Sequence, residues 1–395
     1  MVFTNEDKKN HGKNAQNGLK EILQNCQKLN YLKTIEQDYR LGKNGYSNTK
    51  QFYAPFVIEF ADNKKWALYS TTSMRTDRIK GQQWDAFNLK NLDESIVLAF
   101  LVYPDGINEK QTHEFIQQKR KYADCIEYSA IDDIVSQTEL FNLIESYFTK
   151  YFDQGTVKTI QGNNFENRIA SILNCDQNFK KWKFKDATVE GIFYGAFKQI
   201  VKCLNINKEQ TKRIEATSDK KHIGKLPSKG NPKTDVLVLV TNTDDTQNLY
   251  TISCKRSSNN SVSVHEYSAD QFSLVLDPQN HNLRNLLNLF QEAGSLKDFG
   301  YDNCNKLTKE LEPYLRKLTL WVLGGHGGEG NPDTQYANYI LTYDNNDDSI
   351  AIHNINDYCT KLLASKSGHF GTPFSWTYPS KKRGKKIQLK CKLLK

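Results

Sequence analysis

The sequence predicts a mixed α/β protein in which a mixed sheet flanked by helices follows a smaller N-terminal α+β domain. Two observations lead to this fold class. The chain has 395 residues, which is enough for two domains. Short apolar runs that are typical of strands also stand among longer stretches whose apolar residues recur at helical spacing.

The first half of the chain is predicted to form the smaller domain. Its predicted strands cover 56–60, 66–69 and 96–103, and its predicted helices cover 19–29 and 140–152. A polar stretch near Gln154 separates this set from the next helix. We therefore place the boundary between an N-terminal accessory domain, 1–153, and a second domain, 154–395.

The second half is predicted to contain the larger sheet. The predicted helices cover 164–173, 191–204 and 283–290, and the predicted strands cover 236–240, 249–252, 318–323 and 339–343. A segment rich in Lys, Gly and Pro, 220–233, is predicted to be a loop. A further element begins at Val262, and the chain ends in a basic, strand-like tail.

The charge of the chain is unevenly distributed. Its formal net charge is +9, and residues 1–150 carry 20 Lys and Arg against 20 Asp and Glu, whereas residues 151–395 carry 34 against 25. A basic half beside a neutral half favours contact between the second half and a polyanion such as nucleic acid. The same charge also fits an ordinary lysine-rich cytosolic protein.

Composition argues against several classes of protein. No run of about 18 apolar residues is present, so a transmembrane helix is not expected. The polar N-terminus lacks the apolar segment of a secretory signal. The eight cysteines are scattered without a CxxC pair, which argues against a zinc site or a disulfide framework. A cytoplasmic protein without a membrane partner is therefore expected.

Two predicted strands, 236–240 and 249–252, are joined by a polar segment and can form an antiparallel hairpin. If the hairpin is centred near Asp245, residues whose numbers sum to 490 face each other, and Asp235 lies opposite Lys255. Ser253 and Lys255 are two residues apart and share a face of their strand. The hairpin thus brings an acid, a hydroxyl and an ammonium together at one end of a sheet.

Hydrolysis of a phosphodiester needs groups of these types. A carboxylate holds Mg²⁺ through hard oxygen ligands, and the metal activates water. A neighbouring lysine can orient or deprotonate the water and stabilise the transition state. This layout is that of the PD-(D/E)xK nucleases, although the pattern alone also fits a buried hairpin that ends in solvated charges.

Several ordered motifs from about residue 161 to the C-terminus show a more specific similarity. They are the segments GNPKTD at 230–235, VSVHEY at 262–267, LEPY at 311–314, INDY at 355–358, FGT with WTY at 370–378, and KKIQLK at 385–390. With the spacing from Asp235 to Lys255, these segments resemble the MspI family of type II restriction endonucleases. The resemblance implies a restriction-endonuclease-like fold for the second domain.

The resemblance also implies roles for the residues of the hairpin. Asp235 would be the principal metal ligand and Lys255 the catalytic lysine. Ser253 stands where the family has an asparagine, and the backbone carbonyl of Cys254 could help to coordinate the metal. Glu166 matches a glutamate on the family's early helix and could supply a further carboxylate, or it could be a plain exposed helix residue.

The same resemblance implies a set of DNA contacts. The residues that match the family's readers of CCGG are Ser263, Thr377, Gln388 and Lys390. Lysine can donate to guanine O6 and N7, glutamine can serve several base edges, and hydroxyls donate or accept. The last 15 residues hold eight Lys and Arg, including Lys385 and Lys386, which suit phosphates. Alternation of polar and apolar residues over 387–390 favours an ordered strand over a disordered tail.

One segment of the first domain, 70–85, is dense in hydrogen-bond donors. The candidate DNA-binding residues there are Arg75, Arg78, Lys80, Gln82 and Gln83. The alternative is a surface loop that Trp84 anchors to the core. The domain could extend recognition, wrap the duplex or mediate dimers.

Together these features predict a type II restriction endonuclease of a prokaryotic restriction–modification system, acting beside a cognate DNA methyltransferase. It would bind double-stranded DNA and cut at CCGG or a related GC-rich site with Mg²⁺. Two alternatives stay open at this point. Ser253 permits a DNA-binding protein without cleavage, and the first domain permits a nuclease with an altered, non-palindromic site.

Overall fold

The computed structural model describes residues 5–43, 50–72, 76–106, 117, 130–150, 154–184, 190–257, 261–344, 349–365, 368–379 and 381–394. The chain divides into two compact units. The first unit comprises residues 1–164 and 171–197, and the second comprises 165–170 and 198–395. One long helix, Gln154–Asn174, contributes residues to both units.

The first unit is built on a five-stranded sheet. Its strands are β1 (Thr34–Lys43), β2 (Lys50–Glu59), β3 (Lys65–Ser70), β4 (Ile96–Tyr103) and β5 (Asp133–Ser136), in that spatial order. The first three strands pair antiparallel, and the last three pair parallel. Its helices are α1 (Asn5–Lys28), α2 (Thr76–Leu92), α3 (Gln137–Thr149) and α5 (Asp176–Phe184), and the helices α4 (Gln154–Asn174) and α6 (Tyr194–Cys203) contribute residues to both units.

Both faces of this sheet are covered, because successive strand residues point to opposite sides. Phe56 and Phe100 pack with residues of α1 and α3 in one cluster. Val57 and Leu101, each one position further along, pack with residues of α2 in the other. The first unit is therefore a three-layer α/β/α arrangement.

The second unit contains two sheets. Its strands are β6 (Thr211–Thr217), β7 (Val236–Asn242), β8 (Gln247–Ser257), β9 (Ser261–Tyr267), β10 (Tyr339–Asp344), β11 (Ser349–Asn354), β12 (Phe374–Thr377) and β13 (Ile387–Lys392). The larger sheet has the order β11-β10-β8-β7-β6, and all its pairs are antiparallel except β8 with β10. The smaller sheet has the antiparallel order β12-β13-β9.

The helices of the second unit are α7 (Lys220–Ile223), α8 (Ala269–Leu276), α9 (His281–Ala293), α10 (Leu296–Phe299), α11 (Tyr301–Leu311), α12 (Leu315–Gly324) and α13 (Ile355–Ser365), with a 3-10 turn at Glu312–Tyr314. Apolar residues from most of these helices and from the smaller sheet form one core, which includes Phe290, Trp321 and Trp376. One face of the smaller sheet therefore packs against this core.

Two predictions of local structure were wrong. Residues 318–323, predicted as a strand, lie within α12, where Leu318, Trp321 and Val322 are buried at helical spacing. A short, uniformly apolar run does not distinguish a strand from a buried helix. The predicted loop 220–233 begins with the one-turn helix α7, whose first turn is capped by the side chain of Asp219.

Two further features concern the residues that the structure describes. No helix there combines the length and the apolar character that a membrane span requires. The cysteines described as free thiols are Cys26, Cys175, Cys203, Cys254, Cys304, Cys359 and Cys391.

Candidate active site

The predicted hairpin is present, but its register differs from the prediction by two residues. Val236 pairs with Ile252, so that partner numbers sum to 488, and the turn is centred on Asp244. Continuing this register places Ser253, not Lys255, opposite Asp235. Because a shift by two leaves every side chain on its original face, Ser253 and Lys255 still share the face of Asp235.

Asp235 lies at the start of β7 and is held by donors from β8. Its Oδ2 accepts from the backbone N–H of Cys254 at 2.8 Å, from Lys255 Nζ at 3.2 Å and from Ser253 Oγ at 3.3 Å. Lys255 Nζ also donates to the carbonyl of Cys254 at 3.0 Å. The Asp235 and Lys255 side chains are only 14% and 16% exposed, so the pair is fixed and partly desolvated.

Glu166 joins this cluster from α4, nearly 70 residues earlier in the chain. Its Oε2 accepts from Lys220 Nζ at 3.0 Å, and the same ammonium lies 3.7 Å from Asp235 Oδ1. Its side chain is 18% exposed, so Glu166 is not the plain exposed residue of the alternative interpretation. Sequence reasoning missed Lys220, because its segment carries no motif beyond a basic, loop-like composition.

The electrostatics of the cluster reflect two acids and several cations in a small space. Burial and the charge of Asp235 raise the pKa of Glu166 to about 7, although Lys220 opposes the rise. Burial alone would lower the pKa of Lys220, but Asp235 and Glu166 raise it above its ordinary value. Burial and the neighbouring charge of Lys255 lower the pKa of Lys233, beside the cluster, to about 7.

The donor set of this cluster suits a hard divalent cation. Two carboxylates, Glu166 and Asp235, and the Cys254 carbonyl supply oxygen atoms only, which Mg²⁺ prefers. The raised pKa of Glu166, caused in part by Asp235, shows two acids that a shared cation would stabilise. Over the described ranges no group of three His, Cys, Asp or Glu side chains converges, so carbonyl and water oxygens would complete the coordination.

The four residues predicted to read bases lie on one face of the smaller sheet. Thr377 pairs with Gln388 across β12 and β13, and Lys390 pairs with Ser263 across β13 and β9. Thr377 Oγ1 also lies 3.3 Å from Gln388 Oε1. The opposite face of β13 is buried, so the tail is an ordered strand with its polar face outward.

A β-bulge in β9 sets which side chains reach this polar face. Lys390 pairs with Ser263 but Leu389 pairs with His265, which leaves Val264 as the extra residue. The bulge turns His265 into the core, where it is 4% exposed. It places Glu266 on the polar face, opposite Gln388.

Glu266 is a second residue that sequence reasoning missed, although it lies within the motif VSVHEY at 262–267. Its Oε1 accepts from Lys382 Nζ at 3.1 Å, and Lys386 Nζ lies 3.9 Å away. Lys385 is exposed and Lys386 is half-buried. An acid on the polar face thus neutralises part of the charge of the basic tail.

One open cavity lies between the pair of Asp235 and Lys255 and part of the polar face. Its volume is about 410 Å³. Asp235 and Lys255 line it together with Ser263, Glu266 and Gln388. Groups suited to phosphodiester hydrolysis and groups suited to base contact therefore face the same space.

The candidate residues of the first unit are placed differently from the prediction. Arg75 lies outside the described residues, and the others lie on α2, not in the surface loop of the alternative interpretation. Arg78 and Lys80 are exposed and Gln82 is half-buried. Gln83 is 7% exposed and accepts from the backbone N–H of Ile131 at 2.9 Å, so its prediction as a DNA contact was wrong.

The anchoring role considered for Trp84 was also wrong, because this side chain is 59% exposed. Helical periodicity explains both differences on α2. Ile79, Gln83 and Ala86 are three and four positions apart, so they share the buried face of the helix. Trp84 and Phe87 lie outside this buried face; Phe87 is 53% exposed, and the Trp84 ring contacts the Phe52 ring at its border.

A mixed sheet whose hairpin brings a carboxylate and a lysine together defines the PD-(D/E)xK class of nucleases. A family model described as restriction endonuclease MspI matches residues 141–391. The chain belongs to this family. It is a type II site-specific deoxyribonuclease.

Two curated relatives extend this result. The type II restriction enzyme BsuFI of Bacillus subtilis is 32% identical over 408 aligned positions, covering 99% of each chain. The type II restriction enzyme MspI of Moraxella sp is 27% identical over 238 positions, covering 58% of this chain and 88% of MspI. The similarity to BsuFI therefore includes the first unit, which the similarity to MspI mostly does not reach.

A solved structure shares the fold. The crystal structure of restriction endonuclease MspI in complex with its cognate DNA matches with a TM-score of 0.54 and 22% sequence identity. The match covers 64% of this chain and 99% of that one. The restriction-endonuclease-like fold predicted for the second half of the sequence is thus confirmed.

Proposed function

We propose that this endonuclease binds double-stranded DNA and hydrolyses both strands at CCGG or a related GC-rich site with Mg²⁺. The observation that carries the proposal is the shared cavity, in which Asp235 and Lys255 face the same space as Ser263 and Gln388. A scissile phosphate and the base edges beside it can therefore be engaged at once. In the organism a cognate DNA methyltransferase would protect the same sites.

The cluster around Asp235, Glu166 and Lys255 would perform the hydrolysis. Glu166, Asp235 and the carbonyl of Cys254 would hold Mg²⁺, which when bound supplies charge neutralisation and an acidified water. Lys255 keeps the Asp235 carboxylate in place and presents an ammonium to the phosphoryl oxygens and the attacking water. Ser253 donates to Asp235, so it orients the carboxylate and does not replace it as a ligand.

The polar face of the smaller sheet would read the sequence. Lys390 can donate to O6 and N7 of a guanine, and Gln388 can donate to or accept from a neighbouring base. The hydroxyls of Ser263 and Thr377 flank them and can serve either edge. The exposed Lys385 and the neighbouring lysines of the tail would contact phosphates, which adds affinity without sequence information.

The first unit would act as an accessory domain. Arg78 and Lys80 are exposed on the same helix, α2, and can contact phosphates or bases. We propose that this surface extends recognition beyond the site read by the smaller sheet. Cleaved ends that share a sequence longer than CCGG would support this role.

The proposed activity is tested by incubating plasmid DNA with the full-length protein and Mg²⁺ and sequencing the cleaved ends. Lys255→Ala should lower the cleavage rate by about a hundredfold to a thousandfold, because an oriented cationic donor is lost from the transition state. Lys212→Ala is the matched control. That lysine pairs with Asp245 at the opposite end of the same hairpin and is 57% exposed.

Three outcomes would contradict parts of the proposal. Intact plasmid with the unchanged protein, together with retained DNA binding, would favour a DNA-binding protein without cleavage, the alternative that the neutral Ser253 raises. Cleaved fragments that share no CCGG would show that the roles of Ser263, Thr377, Gln388 and Lys390 are wrongly assigned. Full cleavage by Lys255→Ala would remove this lysine from the reaction.

A further inference from the structure

We propose that Lys220 is a built-in cation that occupies the metal position between Glu166 and Asp235 and must leave before a divalent ion can bind. This inference rests on the proposed function, because it takes those two carboxylates as metal ligands. Lys220 is thus a positioning residue, and its charge lowers the metal affinity of the DNA-free enzyme.

The two carboxylate oxygens of Asp235 have different partners. Oδ2 is held by three donors from β8, namely Ser253, Cys254 and Lys255. Oδ1 faces Lys220 Nζ at 3.7 Å. Since Oδ2 is committed to the hairpin, Oδ1 is the oxygen through which Asp235 can serve a metal, and Lys220 lies in front of it.

Glu166 contacts the same ammonium as Asp235. Its Oε2 accepts from the same Lys220 ammonium at 3.0 Å, so the two acids share one cation. A divalent ion bound to these acids would lie about 2.0–2.6 Å from the same oxygens. The ammonium and the ion cannot share that space, and their like charges repel at such separations.

The Lys220 side chain can move away from the two acids. Its side chain is 36% exposed, against 16% for Lys255. It belongs to the one-turn helix α7, which begins after a cap by Asp219. A long side chain at such a place can turn towards solvent without any change in the hairpin.

A competing lysine and an ordinary structural ion pair predict opposite changes in metal affinity when Lys220 is removed. If Lys220 only held the acids in place, its removal would weaken metal binding. If it competes, its removal leaves two uncompensated carboxylates, and metal binding becomes tighter. The sign of the change in metal affinity therefore separates the two roles.

The experiment measures Mn²⁺ binding to the DNA-free, full-length protein at about pH 8, with free Mn²⁺ followed by electron paramagnetic resonance. We expect Lys220→Ala to lower the Kd for Mn²⁺ by about tenfold, because a repelling charge is removed. Lys220→Arg keeps the charge and should bind Mn²⁺ as weakly as the unchanged protein. Lys221→Ala, at an exposed position on the same helix, should leave the Kd unchanged.

Unchanged or weaker Mn²⁺ binding by Lys220→Ala would overturn the inference, and so would a gain shown equally by Lys220→Arg. Circular dichroism checks the fold of each variant, and Lys220→Gln, which keeps a long polar side chain, replaces the alanine variant if that one does not fold. Plasmid cleavage by the unchanged protein is scored separately. Cleavage without a gain in Mn²⁺ affinity rejects the role of Lys220 alone, whereas no cleavage rejects the proposed function.

Discussion

At the scale of single residues, the neutral Ser253 is the main departure from a nuclease site built on acids. The structure shows what this serine does instead. Ser253 is fully buried, and its hydroxyl donates to Asp235 Oδ2 at 3.3 Å. Its oxygen is therefore directed at the carboxylate from within the sheet, and the second acid comes from Glu166 on a different element.

We expect Ser253→Ala to lower the rate of DNA cleavage about five- to tenfold. This long hydrogen bond of 3.3 Å to a carboxylate contributes about 1 kcal/mol, and its loss lets the carboxylate rotate away from its productive position. The dissociation constant for uncleaved DNA, measured without a divalent metal, should not change. A cleavage rate equal to that of the unchanged protein would show that Cys254 and Lys255 orient Asp235 without help from Ser253.

At the scale of secondary-structure elements, strand β13 connects the core to the polar face. Ile387, Leu389 and Cys391 are buried, whereas Lys390 and Lys392 are exposed on the other side. Lys390 pairs with Ser263, and Lys392 pairs with Ser261 at the end of the sheet. Two lysines of one strand thus share a face but differ in their distance from the cavity-lining residues Ser263 and Gln388.

This arrangement predicts different effects for two similar substitutions. Lys390→Ala should weaken binding to the cognate site by about 1–3 kcal/mol and leave binding to unrelated DNA nearly unchanged, because a base contact is lost. Lys392→Ala should weaken binding to both DNAs to the same extent and reduce the salt dependence, because a phosphate contact is lost. Fluorescence anisotropy over a range of salt concentrations measures both. Equal effects of the two variants would place Lys390 on the backbone instead of on a base.

At the scale of the whole molecule, the chain comprises two units with separate cores and different charge. The excess of basic residues lies after residue 150, in the part of the chain that contains the smaller sheet and its proposed base contacts. In the first unit, Asp93 ties α2 to the sheet. Its carboxylate accepts from Tyr39 at 2.8 Å, from Lys65 at 3.1 Å and from the backbone N–H of Ser95 at 3.0 Å.

These bonds make the stability of the first unit depend on pH. Burial by itself would raise the pKa of Asp93, but the bonds from Ser95, Tyr39 and Lys65 lower it to about 2. Because the pKa is lower in the folded state than in the unfolded chain, the stabilisation is complete above about pH 5 and is lost as the pH falls towards 2. The contribution is about 2 kcal/mol for a side chain that is 19% exposed.

Asp93→Asn should therefore lower the free energy of unfolding at neutral pH by about 2 kcal/mol, and this difference should vanish between about pH 4 and pH 2. Urea denaturation of the full-length protein over this pH range provides the measurement. Asp245→Asn is the control, because the ion pair of Asp245 with Lys212 is exposed and contributes little. A difference that persists unchanged at about pH 2 would mean that packing, not charge, accounts for the effect of Asp93.

The sequence alone determined those features that local periodicity encodes. Alternation with a period of two placed Ser253 and Lys255 on the face of Asp235, and an error of two in the register did not change that face. The same alternation correctly predicted the ordered strand of the tail. Ordered motifs identified the family, because their residue types and spacings are specific in combination.

Only the tertiary structure decided which distant residues complete the site. Glu166 and Lys220 come from different elements and meet Asp235 through the packing of the second unit, which no local pattern specifies. The hydrogen bond between Gln83 and the backbone of Ile131 likewise joins residues far apart in the chain, and the apolar run 318–323 did not by itself distinguish a helix from a strand. Local sequence sets the direction of a side chain along its own element, whereas the partners it meets depend on contacts between elements far apart in the chain.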